Sequence, residues 1–260
     1  MKRDEIRQYL AAGQTDEAAW RRHLEEMTHL SASRIDTWAN CSTLYYLSYV
    51  LGIKRRPGLA MLRGTAVHAS VEHNAEHRIE TGEFAPLDEV QDAAAQEFTD
   101  RVEKEDPEVK LGEDPGKVKD SVVNLATLHY EEVAPLATPI HSEVPFSLEF
   151  DEHDVPIEGY VDLVTKQGDD VIVEEVKTAV GSRTDRGKYL SKIQVPVYLA
   201  AFKEICGATK AKVNVLAEKH LKAGIRREVV VHELDHANNN MIAGVARQMM
   251  SSLRRHIVGP

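Results

Sequence analysis

Two segments of the chain decide its fold: residues 159–164, GYVDLV, and residues 171–178, VIVEEVKT. Both are rich in β-branched and apolar residues, which is typical of strands, and the polar stretch between them predicts a tight turn. Side chains of a strand alternate between its two faces, so Glu175 and Lys177 point the same way. The predicted hairpin therefore places Asp162 of the first strand beside Glu175 of the second.

The pairing of Asp162 with Glu175 has a specific chemical meaning. Two carboxylates on adjacent strands with a lysine nearby form a site for a hard divalent cation such as Mg²⁺, which prefers oxygen ligands. A cation held there polarises a phosphoryl oxygen and lowers the pKa of a bound water, and Lys177 orients that water or stabilises the developing charge. The alternative is a set of solvent-facing charges on an antiparallel sheet, because the bare pattern D-x(12)-E-x-K is common.

The surroundings of Glu175 favour the site. Residues 171–176 are apolar enough for a central strand, where a charge needs a partner or a metal because burying it bare is costly. Farther along, Gln194 and Tyr198 are four residues apart, so one face of a predicted helix presents both. Pro196 interrupts helical hydrogen bonds, and we expect a local kink there that aims Gln194 at the site.

The remaining elements follow from periodicity, caps and turn residues. Helices are predicted over about 3–29, 34–50, 60–80, 88–106 and 116–133, then strands over 141–150, 157–166 and 171–178, a helix over 185–205, strands over 212–218 and 226–233, and a helix over 235–255. This order predicts an α/β fold with a helical N-terminal lobe, residues 1–135, and a mixed-sheet core, residues 136–260. We expect the two parts to form one integrated structural unit.

The composition bounds the class of protein. The chain has 260 residues, of which 42% are hydrophobic, so it can bury a sizeable core. Two cysteines, Cys41 and Cys206, are too few for a disulfide framework and suggest a reducing, intracellular setting. The sequence shows no apolar leader and no apolar run near the roughly 18 residues of a membrane span. We therefore expect a soluble, cytoplasmic protein without a membrane partner.

The formal net charge of −10 is unusual for a protein that binds nucleic acid, but the charge is unevenly distributed. Residues 83–114 hold 12 Asp/Glu against 3 Lys/Arg, whereas residues 182–227 hold 11 Lys/Arg against 3 Asp/Glu. A basic surface can therefore coexist with an acidic total. The alternative is that both segments are ordinary solvated faces.

Three further patterns match a binding motif but are also typical of ordinary structure. Residues 232–236, HELDH, match the H-E-x-x-H zinc protease motif, but the preceding residues predict a strand, with Asp235 as the N-cap of the last helix. His73 and His77 are four residues apart in a predicted helix and could hold a metal, although solvated side chains are the simpler interpretation. A helical stripe of tyrosines either packs in the core or stacks on bases; its members are Tyr45, Tyr46 and Tyr49.

Five motifs follow one another along residues 31–218. The first is an early helix with Ser and Cys, Ser31 to Cys41. The others are G-x-x-x-H (Gly64 to His68), G-x-x-D (Gly159 to Asp162), E-x-K-T (Glu175 to Thr178) and Q-x-x-x-Y (Gln194 to Tyr198). In order and spacing they resemble the RecB-like branch of the PD-(D/E)XK nucleases, which includes CRISPR-associated and phage exonucleases. The resemblance implies a restriction-endonuclease-like fold, with a mixed β-sheet core flanked by helices.

The resemblance also implies roles for single residues. The metal ligands would be His68, Asp162, Glu175 and the backbone carbonyl of Val176, and the catalytic lysine would be Lys177. The residues that position the lysine, the water or the DNA backbone would be Gln194 and Tyr198. Weaker candidates, as ligands of a second metal or partners of the first ligands, are Glu72 and Glu143.

Basic residues beside the site are the candidates for contacts with the DNA backbone. They are Arg183, Arg186, Lys188 and Lys192, followed by Arg63 in the predicted helix that carries His68. Many members of the branch also hold an iron–sulfur cluster on four cysteines. Cys41 lies at the early position and Cys206 just after the Gln194 helix, but the sequence has no C-terminal cluster of cysteines. We therefore expect no iron–sulfur cluster and carry over no strand polarity.

We therefore expect a Mg²⁺- or Mn²⁺-dependent DNA exonuclease that hydrolyses phosphodiester bonds at single- or double-stranded ends. The resemblance implies a role in recombination, repair or phage replication, with a recombination or replication protein as a possible partner. One alternative is a non-catalytic DNA-binding or adaptor protein on the same fold, and another is a structure-specific endonuclease. The intact Asp162, Glu175 and Lys177 argue against the adaptor.

Overall fold

The computed structural model describes residues 17–150, 155–180, 192–222 and 224–258. Within these ranges it contains eight α-helices and five β-strands, close to the predicted elements. The helices are α1 (Glu17–Glu26), α2 (Ala32–Asn40), α3 (Ser42–Tyr45), α4 (Leu59–Thr81), α5 (Leu87–Glu105), α6 (Pro115–Glu132), α7 (Gln194–Cys206) and α8 (Asn239–Val258). The strands are β1 (Thr138–Leu148), β2 (Ile157–Gln167), β3 (Asp170–Val180), β4 (Lys210–Leu221) and β5 (Gly224–Leu234).

The five strands form one mixed sheet in the order β1-β2-β3-β4-β5. β2 and β3 are antiparallel, with Leu163 opposite Glu174, and β4 and β5 are also antiparallel. β3 and β4 are parallel, with Lys177 opposite Val215. A parallel pair needs a crossover connection, and α7 lies in the connection between these two strands. The mixed sheet with flanking helices confirms the predicted α/β class and makes β3 the central strand.

The chain divides into two compact units. The first unit comprises the described parts of Met1–Arg55, Ser147–Glu158 and Asn239–Pro260. The second unit comprises the described parts of Arg56–Phe146 and Gly159–Asn238. All the predicted site residues that the structure describes lie in the second unit. The division at residue 135 into a lobe and a core stays a prediction.

Aromatic side chains fill the first unit. Trp20 of α1 stacks on Tyr46, with the ring centroids 5.1 Å apart. Tyr45 is fully buried, and its hydroxyl is hydrogen-bonded to Nε2 of His23 at 2.8 Å. Tyr45 and Tyr46 are therefore core residues and are not available to stack on bases. Tyr49 is half-buried beside them, with its ring centroid 5.0 Å from that of Tyr45.

The core of the second unit lies between helices α4, α5 and α6 and one face of the sheet. Leu62, Phe98 and Leu125 from the helices pack with Val176 and Leu216 from β3 and β4. Burying such a side chain stabilises the fold by about 1.5–3 kcal/mol. α7 packs on β3 and β4 as well. We call the sheet surface that carries Val176 the α4 face and the opposite surface, which carries Glu175, the α7 face.

The start of α7 differs from the prediction. The helix begins at Gln194, because Lys192 and Ile193 form a bend, while the predicted residues 185–191 lie outside the described ranges. Pro196 is the third residue of the helix. Amide groups in a first turn have no intrahelical acceptor, so a proline there removes no helical hydrogen bond. The predicted kink at Pro196 is wrong, and α7 runs unbroken to Cys206.

Two other helix boundaries differ from the prediction. The helix expected over 34–50 breaks at Cys41, whose extended backbone starts α3 and whose Sγ accepts from the N–H of Leu44 at 3.4 Å. Ser31 is the N-cap of α2, since its hydroxyl accepts from the N–H of Arg34. α8 begins only at Asn239, so Asp235 is not its N-cap. Of the helix predicted over 3–29, residues 3–16 lie outside the described ranges.

Candidate active site

Asp162, Glu175 and Lys177 meet where β2 leaves its register with β3. Leu163 is the last residue of β2 in that register, and just beyond it Asp162 Oδ2 accepts the backbone N–H of Val176 at 2.9 Å. This hydrogen bond holds the Asp162 carboxylate against β3. On β3 itself, Lys177 Nζ donates to Glu175 Oε1. The structure thus brings together the three residues that the hairpin pattern predicted.

His68 of α4 joins this group. Its Nδ1 lies 3.3 Å from Asp162 Oδ2. Burial alone would lower the pKa of His68, but the Asp162 carboxylate, followed by Glu175, raises it above the ordinary value. Burial alone would raise the pKa of Asp162, but His68, the Val176 N–H and Lys177 hold it below the ordinary value. His68 and Asp162 therefore each favour the charged form of the other.

Glu175 is the most deeply buried carboxylate of the group, with 2% of its surface exposed. Its Oε1 accepts from Lys177 and from Gln194 Nε2, the latter at 3.3 Å. Its Oε2 is buried and has no hydrogen-bond partner among the described residues. Burial, followed by the charge of Asp162, raises the pKa of Glu175 to about 7, although Lys177 acts in the opposite direction. An unsatisfied buried carboxylate is unfavourable unless a cation binds to it.

A chain of packed side chains supports Glu175 from the α7 side. Gln194 donates to Tyr198 Oη at 2.7 Å as well as to Glu175. The Tyr198 ring stands edge-on to Phe146, with the centroids 5.5 Å apart. A Cβ at Gly159 would lie 3.2 Å from the Phe146 ring, so glycine is favoured at that position. Burial raises the pKa of Tyr198, so its hydroxyl stays neutral.

Two more acidic residues surround the group. Glu72 lies one turn beyond His68 on α4, and Glu143 is exposed on β1 with a left-handed backbone, φ 47°. The pKa of Glu72 is raised by burial and then by Glu76, and that of Glu143 by burial and then by Asp162. The shifts share one cause besides burial, which is the concentration of negative charge around Asp162.

The donors fit a hard divalent cation. Carboxylates and a backbone carbonyl are oxygen ligands, and the acidic surroundings would be neutralised by a dication. Among the residues that the structure describes, no three His, Cys, Asp or Glu side chains already stand as a metal-ligand set. Instead, Lys177 contacts Glu175 and His68 contacts Asp162. The buried Glu175 Oε2, which has no partner among the described residues, is the atom best placed to take a positive charge.

A family model covers this site and most of the chain. The model of the PD-(D/E)XK nuclease superfamily matches residues 29–256. The chain belongs to the PD-(D/E)XK nuclease superfamily. Its mixed sheet with flanking helices agrees with the restriction-endonuclease-like fold of these nucleases, which generally use divalent metals such as Mg²⁺ or Mn²⁺. The superfamily also makes nucleic acid the expected substrate.

Other comparisons add little to this assignment. No curated protein matches the chain. Twenty chains of solved structures match it, among them one titled "Crystal structure of SSO0001", with 16% sequence identity over 72% of this chain and 74% of that chain. Its TM-score of 0.34 supports no conclusion about function. Among the described residues of this PD-(D/E)XK protein, no helix is long and apolar enough to cross a bilayer.

The basic residues predicted to contact DNA have different surroundings in this PD-(D/E)XK protein. Arg183, Arg186 and Lys188 lie outside the described residues, and Lys192 is exposed just before α7. Arg63 is only 7% exposed, and burial lowers its pKa while Glu218 opposes that shift. Its side chain is packed on the α4 face, which does not favour a direct contact with DNA.

A polar network on the α4 face was not predicted from the sequence. Glu174 is 4% exposed, and its two oxygens accept from Thr165 Oγ1 at 2.5 Å and from Asn214 Nδ2 at 2.6 Å. The donors come from β2 and β4, the strands on either side of β3. The only signal in the sequence was a second glutamate on a strand apolar enough to be central.

Two metal patterns of the sequence are not metal sites in the described structure. His232 and Glu233 lie in β5, so the H-E-x-x-H segment lacks the helix that a zinc protease needs. His73 Nε2 is 3.9 Å from Glu89, whereas His77 Nδ1 is hydrogen-bonded to the Glu83 carbonyl at 3.0 Å. The two histidines have separate partners, in agreement with the simpler interpretation.

Proposed function

We propose that the chain is a divalent-metal-dependent DNA exonuclease of the RecB-like branch. The observation that carries the proposal is the buried Glu175, whose Oε2 lacks a partner among the described residues while Asp162 and Lys177 stand beside it. A structural ion pair would satisfy both oxygens of such a carboxylate, as the hydrogen bonds of Glu174 do. A carboxylate that binds a cation keeps one oxygen without a protein donor, so that this oxygen can bind the cation.

Each residue of the site would have its own role in phosphodiester hydrolysis. Asp162, Glu175, the Val176 carbonyl and His68 would hold the cation. When bound, it would polarise the scissile phosphate and lower the pKa of a water. Lys177 already lies at Glu175 Oε1, and its ammonium group would orient the attacking water or stabilise the charge that develops on the phosphate.

Gln194 and Tyr198 act as positioning residues in this proposal. Gln194 bonds to both Glu175 and Tyr198, and Tyr198 is fixed by its edge-on contact with Phe146. The contacts limit the movement of the Glu175 carboxylate. Glu72 and Glu143 have no hydrogen bond within the described part of the chain that would give them a defined task, and they stay candidates for a second cation.

The exonuclease mode, a role in recombination, repair or phage replication, and a replication or recombination partner rest on the resemblance of five ordered motifs to one branch. The proposed cytoplasmic location rests on the composition of the sequence. No specific contact among the described residues favours the non-catalytic adaptor. The endonuclease differs from the exonuclease only in whether the substrate needs an end, so the substrate decides between them.

The deciding experiment is a cleavage assay on linear DNA labelled at the 5′ or the 3′ end. Single strands, duplexes and a covalently closed circle are incubated with Mg²⁺, Mn²⁺ or EDTA. We expect metal-dependent loss of one end label from the linear substrates and an intact circle. Cleavage of the circle would replace the exonuclease with an endonuclease.

Lys177→Ala is the matched control for that assay. We expect it to bind DNA like the native protein and to cleave at least about 100-fold more slowly, as expected when a residue that stabilises the transition state is lost. Native-rate cleavage by this variant would refute the catalytic assignment. If the native protein cleaves nothing, a thermal shift with Mn²⁺ that disappears in Asp162→Ala still separates a metal-binding site from an adaptor without metal.

A further inference from the structure

Among the described residues, the hairpin formed by β4 and β5 continues beyond the last residue of β3. The register of β3 with β4 ends at Val180 opposite Glu218, but that of β4 with β5 continues to Leu221 opposite Gly224. We call residues 219–222 and 224–227 the hairpin tip. It contains four Lys/Arg and no Asp/Glu, in a chain whose net charge is −10.

The strand register assigns each side chain of the tip to a face. Lys177 is opposite Val215 and therefore shares its face, so every second residue of β4 beyond it, up to Leu221, also lies on the α7 face. Lys219 is one of these, and Arg226 is its partner across the hairpin. Two cations thus lie on the sheet face that carries the catalytic lysine.

The cations on the α7 face share one carboxylate and differ in exposure, since the Lys219 side chain is only 28% exposed. Lys219 and Arg226 both form ion pairs with Glu228, that of Arg226 at 3.3 Å. The three charged groups together carry a net charge of +1. The side chain of Arg226 is 67% exposed. Lys222 is exposed at the end of the hairpin, and Leu221 next to it is 54% exposed. The surface is basic and has an apolar end.

Arg227 has a different task, although it is adjacent to Arg226. It lies opposite Glu218 and donates to Glu218 Oε2 at 3.0 Å. Glu218 is 4% exposed and lies on the α4 face, where it also faces Arg63. Arg227 therefore neutralises a buried carboxylate, whereas Lys222 and Arg226 are the exposed cations of the tip.

We propose that the hairpin tip binds the sugar–phosphate backbone of the DNA strand held at the active site, through Lys222 and Arg226. Leu221 lies six residues beyond Val215, the partner of Lys177, which is about 20 Å along a strand. A stacked DNA strand rises about 3.4 Å per nucleotide along its axis and spans that distance in roughly six nucleotides. This inference rests on the proposed function, because it assumes DNA at the Lys177 site.

Binding is measured in a Lys177→Ala background, so that the probe is not cut. The probes are fluorescein-labelled single strands of about 20 and about 4 nucleotides in Mg²⁺ at several salt concentrations. The test variant carries K222Q and R226Q, which leaves the Lys219–Glu228 pair in place. We expect about 10-fold weaker binding of the long strand, with the slope of log K against log salt flattened by about 1.4. Binding of the short strand should not change.

Two controls make the result specific. Arg227→Gln removes a cation from the same hairpin but on the other face, so it should lower the melting temperature and leave the salt slope unchanged. K222Q alone changes one exposed residue at the turn and should give about half of the slope change. It replaces the double variant if that variant has an altered circular dichroism spectrum.

The proposal is overturned if the hairpin variants keep the parental salt slope, if short and long strands lose affinity equally, or if the parent binds neither strand. The failure of the proposed function looks different. A native protein that binds long strands with the expected slope but never cleaves them would contradict the nuclease and retain the hairpin contact. If a hairpin variant with Lys177 intact cleaves DNA while its binding keeps the parental salt slope, the nuclease is supported and the hairpin contact is contradicted.

Discussion

Glu174 and Glu175 are neighbours on one strand and are both almost completely buried, yet their surroundings differ. On the α4 face, Glu174 is held by Thr165 and Asn214, and each of its oxygens has a donor. On the α7 face, Glu175 has a lysine and an amide on one oxygen and nothing among the described residues on the other. Both carboxylates are buried, so the proposed cation site rests on the unsatisfied oxygen of Glu175 and not on its burial.

The largest expected effect separates the two glutamates by activity. Glu175→Gln removes the charge that would bind the cation, and we expect cleavage to fall at least about 100-fold. Glu174→Gln should keep cleavage close to the native rate but lower the free energy of unfolding by about 1–3 kcal/mol, because the new amide N–H₂ would face another donor. End-label cleavage and urea unfolding of both variants measure this contrast. Equal loss of activity in the two variants would contradict it.

A second expected effect is a pH dependence that belongs to Glu175 alone. Its pKa is raised from 4.5 to about 7 in the folded protein. A raised pKa stabilises the fold at low pH, and this contribution is lost as pH increases from about 4.5 to about 7. In EDTA, the free energy of unfolding of native protein relative to Glu175→Gln should therefore decrease across that range. If the difference in the free energy of unfolding does not change with pH, the raised pKa of Glu175 is contradicted.

Metal binding should depend on pH in the opposite sense. The carboxylate must lose its proton before it binds a cation, so the affinity for Mn²⁺ should increase as pH approaches about 7. The melting shift produced by Mn²⁺ at several pH values measures this increase. Asp162→Ala serves as the control, since it should show no shift at any pH.

The smallest expected effect concerns the support of Glu175. Tyr198→Phe removes the hydroxyl that accepts from Gln194 and leaves the ring contact with Phe146 intact. We expect a decrease of about 3- to 10-fold in kcat, which corresponds to about 1 kcal/mol for one hydrogen bond. Tyr130→Phe, which loses a hydrogen bond to the Ala85 carbonyl, is the control and should leave kcat unchanged. A change in KM alone would mean that Tyr198 acts on DNA rather than on Glu175.

Local patterns of the sequence predicted much of the fold. The apolar strands, the polar turn and the caps predicted all five strands and most of the helices, because these signals come from residues close together in the chain. Apart from the kink expected at Pro196, the errors lie at boundaries. The break at Cys41 and the late start of α8 at Asn239 depend on backbone conformations that the residue types allow but do not require.

The candidate site was predictable where one hairpin creates it. The alternation of Glu175 and Lys177 and the short turn back to Asp162 are local properties. The partners of Glu174 were not predictable, because Thr165 and Asn214 come from two other strands and their meeting depends on register. For the same reason the sequence did not show that Arg63 is buried near Glu218, or that neighbouring Arg226 and Arg227 face opposite sides.

The parallel pairing of β3 with β4 makes the candidate site depend on the whole second unit. The β2–β3 and β4–β5 hairpins can form from neighbouring residues, but the parallel pair needs the crossover that contains α7. His68 is more than one hundred residues before Glu175 and comes from another helix. A newly made chain can therefore contain both hairpins and still lack the assembled site, so we expect cleavage only once the tertiary structure is complete.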